Sequence, residues 1–160
     1  MKLLKLVFFV LLLSSCAVFQ PKKFSVEALN EKLVTEQRDS ITLKEILKKN
    51  QGKKLFVQLY ASYCPVSQDS FDDVVAFQKE NPSIKCIFLS VDHSYFDWKR
   101  GLKDLKVKGQ HYYIPKKGKG QLGEFLNLKT IPRFMVVDVN GKIKLFKSSS
   151  LSKKVINKVK

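Results

Sequence analysis

The chain has 160 residues, 44% of them apolar and 11% aromatic, with 30 Lys+Arg against 14 Asp+Glu and a formal charge of +16. That length fits one domain, the aromatic content excludes a disordered chain, and three cysteines are too few for a fold built on disulfides. The charge alone would point to a polyanionic partner, either nucleic acid or an anionic membrane.

Taken in chain order, Met1 to Lys5 make a short basic start, Leu6 to Leu13 are continuously apolar, and Ser14-Ser15-Cys16 follow. This is the order of a secretory signal. The apolar stretch falls well short of the roughly 20 residues a membrane-spanning helix needs. Its ending, Leu13-Ser14-Ser15-Cys16, resembles a bacterial lipobox, which implies a signal peptide over 1–15 and lipidation of Cys16. The expected setting is the bacterial cell envelope, with the domain facing the periplasm or another extracytoplasmic space. Without residues 1–15 the chain keeps 28 basic and 14 acidic residues. An exported protein does not meet the genome, so nucleic acid drops out as a partner. The expected partner for the charge is the anionic membrane beside the anchor.

Residues 16–25 read as a basic tether, and 26–160 as the folded domain. Val26, Leu29, Leu33 and Val34 are spaced for one helix face, which predicts a helix over 26–34. Ile41, Leu43, Ile46 and Leu47 give a second helical stripe, ended by Asn50-Gln51-Gly52. Leu55 to Tyr60 is an almost unbroken apolar run, suited to a strand covered on both faces. Pro65 then opens a helix that Asn81-Pro82 stops. Ile84 to Val91 is a second buried strand, Phe96 to Leu105 a helix, and Lys106 to Gly123 a Gly- and Lys-rich connection with a short strand at His111 to Ile114. Gln121 to Leu128 supplies one or two helical turns. Arg133–Asp138 and Lys142–Lys147 flank an Asn140-Gly141 hairpin signal, and Leu151 to Val159 closes as an amphipathic helix. The expectation is an α/β fold, a mixed sheet with helices on both faces.

Cys64 is the candidate for chemistry. It ends a strand and opens a helix, where unpaired N–H groups and the positive end of the dipole favour thiolate, the nucleophilic form. Tyr60, Tyr63 and Pro65 surround it in sequence. A small packed core cysteine is the other reading of that residue alone.

The wider context weighs on that choice. Tyr60-Ala61-Ser62-Tyr63-Cys64, after its strand, resembles the active-site segment of thioredoxin-like proteins, especially the membrane-tethered TlpA-type disulfide reductases. Thr130-Ile131-Pro132-Arg133-Phe134 and the hairpin through Ile143 resemble that family's cis-proline strand. The resemblance covers about residues 41–147. It implies a thioredoxin-like fold and a substrate groove bordered by Tyr63, Pro65, Ile131 and Pro132. It also implies a cis bond between Ile131 and Pro132, and cis is common only before proline.

Two departures change the mechanism that the resemblance implies. The family's usual Cys-x-x-Cys is here Cys64-Pro65-Val66-Ser67, and a serine cannot resolve a mixed disulfide. Ser67 is expected instead to assist by donating a hydrogen bond to the Cys64 sulfur. The buried acid that the family carries six residues before the cysteine is here Gln58. Cys86 cannot replace the missing thiol. It lies early in its strand, roughly 16 Å from that strand's far end, and a disulfide needs Cα atoms within about 7 Å.

Three mechanisms follow. Cys64 forms mixed disulfides resolved by an external thiol, as in a monothiol oxidoreductase or isomerase. Or the domain is a redox-inactive module that binds an exported protein. Or Cys64 is a peroxidatic thiol, which Ala61 and Val57, standing where peroxiredoxins have Thr or Ser and Pro, disfavour. The first is the main expectation, with an exported protein or a low-molecular-weight thiol or disulfide as substrate. The protein is expected to be a monomer with no cofactor and no metal. His93 reads as a solvent-facing residue after a strand, and His111 as part of the basic connection.

Overall fold

Alternation along the buried run Leu55–Tyr60 explains the architecture. Leu55, Val57 and Leu59 point to one face and Phe56 and Tyr60 to the other, and each face has its own apolar cluster. The computed structural model describes residues 20–159, so the expected signal peptide and Cys16 lie outside the described residues. In chain order the elements are α1 (Val26–Asn30), β1 (Lys32–Val34), β2 (Ser40–Thr42), α2 (Leu43–Lys49), β3 (Leu55–Tyr60), α3 (Pro65–Glu80) and β4 (Lys85–Ser90). There follow α4 (Tyr95–Gly101), β5 (Gln110–Tyr113), α5 (Gln121–Leu126), β6 (Arg133–Val137), β7 (Ile143–Ser148) and α6 (Lys153–Val159). Short 3₁₀ turns at Leu102–Asp104 and Lys116–Gly118 lie in the connections.

The strands form one seven-stranded sheet in the order β2-β1-β5-β4-β3-β6-β7. β3, β4 and β5 are parallel, while β6 runs antiparallel to β3 and pairs with β7 as a hairpin. α1, α2 and α5 supply Ala28, Leu43, Ile46, Leu122 and Leu126 to one face of the sheet. α3, α4 and α6 cover the other with Phe71, Val74, Phe77, Trp98, Val155 and Val159. The expected mixed sheet with helices on both faces is therefore the observed one.

Two expected elements are corrected. The helix expected over 26–34 ends at Asn30, and Lys32–Val34 forms a strand. Ile41, expected in a helix, lies in β2 and pairs with Leu33, and that cross-strand pair is buried. Spacings of three and four residues fit a helix face, but here they span a five-residue helix and a three-residue strand, a case periodicity alone does not separate. The second helix begins after Thr42, whose hydroxyl accepts from the Glu45 N–H at 3.2 Å while Glu45 accepts from the Thr42 N–H at 2.7 Å. This reciprocal capping box fixes the start two residues later than the apolar stripe suggested.

The two ends of the sheet lead to different parts of the chain. Tyr60 and Ser90 lie at one, which leads to Cys64. Leu55, Lys85 and Val137 align at the other. The N-terminal segment meets the fold at this second end: the Ile143 N–H donates to the Lys22 carbonyl at 2.8 Å. Phe24 packs on Phe125 with ring centroids 5.6 Å apart, so the last part of the expected tether is held against the domain.

Candidate functional site

Cys64 is the N-cap of α3, with Pro65 at the first helical position. Proline suits that place because its fixed φ is helical and its missing N–H would be unpaired there. The turn before it closes by a hydrogen bond from the Cys64 N–H to the Ala61 carbonyl at 3.1 Å, and the Cys64 carbonyl takes the Gln68 N–H at 3.0 Å. The sulfur makes no capping bond to the helix N–H groups. Cys64 is half-buried, as is Ile131, and both lie against the same apolar cluster. Around it Tyr63 and Val66 are exposed, at 53% and 61%.

Pro132 reaches the same end of the sheet through β6. Leu59 pairs with Arg133, which puts Pro132 one position beyond, level with Tyr60. The Ile131–Pro132 peptide is cis. The structure thus brings Tyr63, Cys64, Pro65, Ile131 and Pro132 to one sheet end, while Cys86 sits opposite Phe56 toward the other. Cys64 and Cys86 are both free. Cys86 is buried, and burial pushes its thiol pKa up.

Ser67 lies fully buried in the first turn of α3, and its hydroxyl has no hydrogen-bond partner. The expected bond to the Cys64 sulfur is therefore not formed. Beneath it, Ser70 Oγ donates to the Ser67 carbonyl at 2.6 Å, and Gln58 Nε2 donates to Ser70 Oγ at 2.9 Å. Gln58 is fully buried and its Oε1 is unpaired. The neutral amide of Gln58, already a departure from the resembled family in the sequence, is tied to the helix.

Sequence reasoning missed Asp92. It is fully buried at the end of β4 and grips the turn that carries Cys64. Its carboxylate oxygens accept the Ser62 N–H at 3.0 and 3.1 Å, the Ser62 hydroxyl at 2.7 Å and the Ser90 hydroxyl at 2.5 Å. These charge-assisted bonds fix the backbone two residues before the cysteine. Gly101 of α4 completes the grip, since a Cβ added there would lie 2.4 Å from the Ser62 Cβ. The signal available in the sequence was a lone acid ending an otherwise apolar strand.

Next in sequence, His93 stacks on Tyr63, with centroids 4.4 Å apart and planes at 20°. The imidazole is exposed, as expected, and belongs to the surface beside Cys64. His111 lies in β5, close to the short strand expected at His111 to Ile114, stacked on Phe88 at 4.7 Å, and burial pushes its pKa down. Arg133, directly after Pro132, is 3% exposed. Its guanidinium donates to the Leu126 and Phe146 carbonyls and lies 4.7 Å from the Phe146 ring centroid, and burial lowers its pKa to about 10. Among the described residues no group of three or more His, Cys, Asp or Glu is arranged to hold a metal ion, and no helix is long and apolar enough to cross a membrane.

Comparison with known proteins adds a family. Residues 52–143 match the family model described as thioredoxin-like. Solved structures share the fold. One is the thioredoxin domain of a thiol-disulfide oxidoreductase from Bacteroides vulgatus, at 16% identity and a TM-score of 0.66 over 86% of this chain and 96% of that one. Another is a thiol-disulfide oxidoreductase from Bacteroides fragilis, at 15% identity and a TM-score of 0.68 over 83% and 96%. No curated protein sequence matches the chain.

Proposed function

The chain belongs to the thioredoxin-like family, and on that footing we propose that it is an exported, lipid-anchored protein of thiol-disulfide exchange with Cys64 as its single nucleophile. The observation that carries the reading is the placing of Cys64: a half-buried sulfur at the N-cap of α3, with exposed Tyr63 and Val66 beside it and cis-Pro132 at the same sheet end, while the helix position that would resolve a mixed disulfide carries Ser67.

The chemistry balances without a second protein thiol. The Cys64 thiolate attacks one sulfur of a substrate disulfide. A Cys64–substrate disulfide forms, the substrate S–S bond breaks, and the other substrate sulfur leaves as thiolate. An external thiolate then attacks the substrate sulfur of the mixed disulfide. It forms a new disulfide with the substrate, and Cys64 leaves as thiolate. Electrons for any net reduction come from the external thiol. Ser67 makes the mixed disulfide long-lived, because no neighbouring sulfur competes for it.

The substrate is an exported protein or a small disulfide, docked along Ile131-Pro132 and against Tyr63 and Pro65. The same reading makes residues 1–15 a lipoprotein signal, Cys16 the lipidated residue, 16–25 a tether and 26–160 the domain, with a TlpA-type ancestry for the site. The test is a non-reducing separation of the protein taken from its own membranes. Adducts that thiol reductant releases, and that Cys64→Ser lacks, support the proposal. A partner held equally by Cys64→Ser would instead make the domain a redox-inactive binding module.

A further inference from the structure

The mechanism uses one end of the sheet and leaves the other unexplained. At that second end the N-terminal segment reaches the fold at Lys22, the loop before β3 carries Lys53 and Lys54, the start of β4 carries Lys85, the β6–β7 turn carries Lys142, and the last turn of α6 carries Lys158. All but the half-buried Lys54 are exposed. The segments meeting there (20–23, 48–54, 79–85, 138–142 and 157–159) hold ten lysines and two acids, Glu80 and Asp138. The Asp138 carboxylate is turned into its own hairpin, where it accepts the Asn140 and Lys142 N–H groups at 2.9 Å each.

Register holds these lysines together. Lys85 is paired with Leu55, Leu55 with Val137, and Val137 with Ile143, whose N–H holds the Lys22 carbonyl. Between the loops runs an open groove of about 650 Å³, lined by Lys53, Lys54 and Lys85 with Asn81, Ser83 and Val159. At the tip of the β6–β7 turn, Val139 is 40% exposed.

The Cys64 end is composed differently. Lys99 pairs with Glu36 at 3.2 Å and Arg100 with Asp97 at 2.6 Å. Asp69, Asp72 and Asp73 stand on α3. Lys116, Lys117 and Lys119, which follow β5, and Lys106, beside Ser62, also lie toward that end, so both ends are basic. The tether end carries the denser patch, ten lysines against two acids, and one of those acids is turned into its own hairpin.

We propose that this end of the sheet is a docking surface for anionic lipid headgroups, so that the domain stands on the membrane with Cys64 facing away from it. The inference takes its setting from the anchored reading above, but the contact it assigns is separate from the anchor. Clustered lysines near an anionic bilayer each add attraction that falls off within a Debye length, and an exposed valine among them can enter the interfacial layer. The orientation leaves Tyr63, Val66 and the cis-proline strand open to soluble partners.

The experiment uses the full chain reconstituted into vesicles of phosphatidylcholine alone or with added phosphatidylglycerol. Lysines are acetylated briefly and read by mass spectrometry. With phosphatidylglycerol, Lys53, Lys85 and Lys142, and beside them Lys158, should react at least about fivefold more slowly, the factor that one lysine contact with anionic lipid contributes. Lys116 and Lys117 should be unchanged, and high salt should remove the protection. The triple variant Lys53→Glu, Lys85→Glu, Lys142→Glu should weaken the contact by about a hundredfold and lose the protection at Lys158. Equal labelling of the three lysines in both vesicles, or protection of Lys116 and Lys117 instead, would overturn the proposal. Failure of the anchor looks different: the chain would then leave phosphatidylcholine vesicles altogether, while docking would still hold it on those with phosphatidylglycerol.

Discussion

Replacing Asp92 by Asn keeps the size of the side chain and removes the charge that holds the turn before Cys64. The carboxylate accepts four contacts: the Ser62 N–H at both oxygens, the Ser62 hydroxyl and the Ser90 hydroxyl. Hydrogen bonds to a charged group are worth about 1.5–3 kcal/mol each. In Asp92→Asn one oxygen still accepts from Ser62, and the Ser90 hydroxyl can turn to accept from the new amide. What goes is the charge assistance and one acceptor, offset in part because a buried charge no longer has to be desolvated. The net loss should be about 2 kcal/mol, or roughly 5–8 °C in Tm for a domain of this size. Urea unfolding at neutral pH measures it, with the slope m unchanged. A cycle with Ser62→Ala should show a coupling of about 1 kcal/mol or more. Asp92→Asn within about 0.5 kcal/mol of the parent, together with additive single changes, would refute the view that this charge fixes the turn.

Other expected outcomes follow from the same site and core. Ser67→Ala removes a buried hydroxyl without a partner, so it should leave stability unchanged or raise it by about 1 kcal/mol in urea unfolding; a loss of that size would mean the hydroxyl holds a bond, to the Cys64 sulfur or elsewhere. Gly101→Ala sets a methyl against the Ser62 side chain and should cost about 1–3 kcal/mol and slow adduct formation at Cys64; a neutral result would show that the turn can yield. Burial holds the His111 imidazole below the usual histidine range, against smaller opposing effects of Glu36 and a hydrogen bond with Val107. The folded state therefore binds fewer protons there than the unfolded chain. Its contribution is present above the ordinary pKa of about 6.5 and lost as pH falls through the folded value. Unfolding measured at about pH 7.5 and 5 should show His111→Gln losing less stability than the parent, and equal losses would contradict the assignment.

The elements that carry the site were legible because burial dictates their composition. A strand covered on both faces must be apolar throughout, so Leu55–Tyr60 stands out, and a proline after Cys64 marks the start of α3. Pro132 and the Asn140-Gly141 turn marked the second half in the same way. The β1–β2 pair was not legible, since three-residue strands beside five- and seven-residue helices leave too little period to read. Asp92 was passed over for a different reason. Its work lies in contacts with Ser62, 30 residues away, and nothing local in Val91-Asp92-His93 announces that partner. The expected bond between Ser67 and the Cys64 sulfur failed on geometry: helical spacing brings the two residues near, but the Ser67 hydroxyl is buried without a partner.

The most direct test of a single working sulfur is to capture what it holds. The full chain, taken from its native membranes with free thiols blocked, should run on a non-reducing gel as adducts that reductant dissolves. Mass spectrometry should place the disulfide on Cys64, and Cys64→Ser should abolish it. A Ser67→Cys variant, which supplies a resolving thiol in the same helical turn, should diminish the adducts. No reductant-sensitive species in the parent, or the same species in Cys64→Ser, would contradict the account.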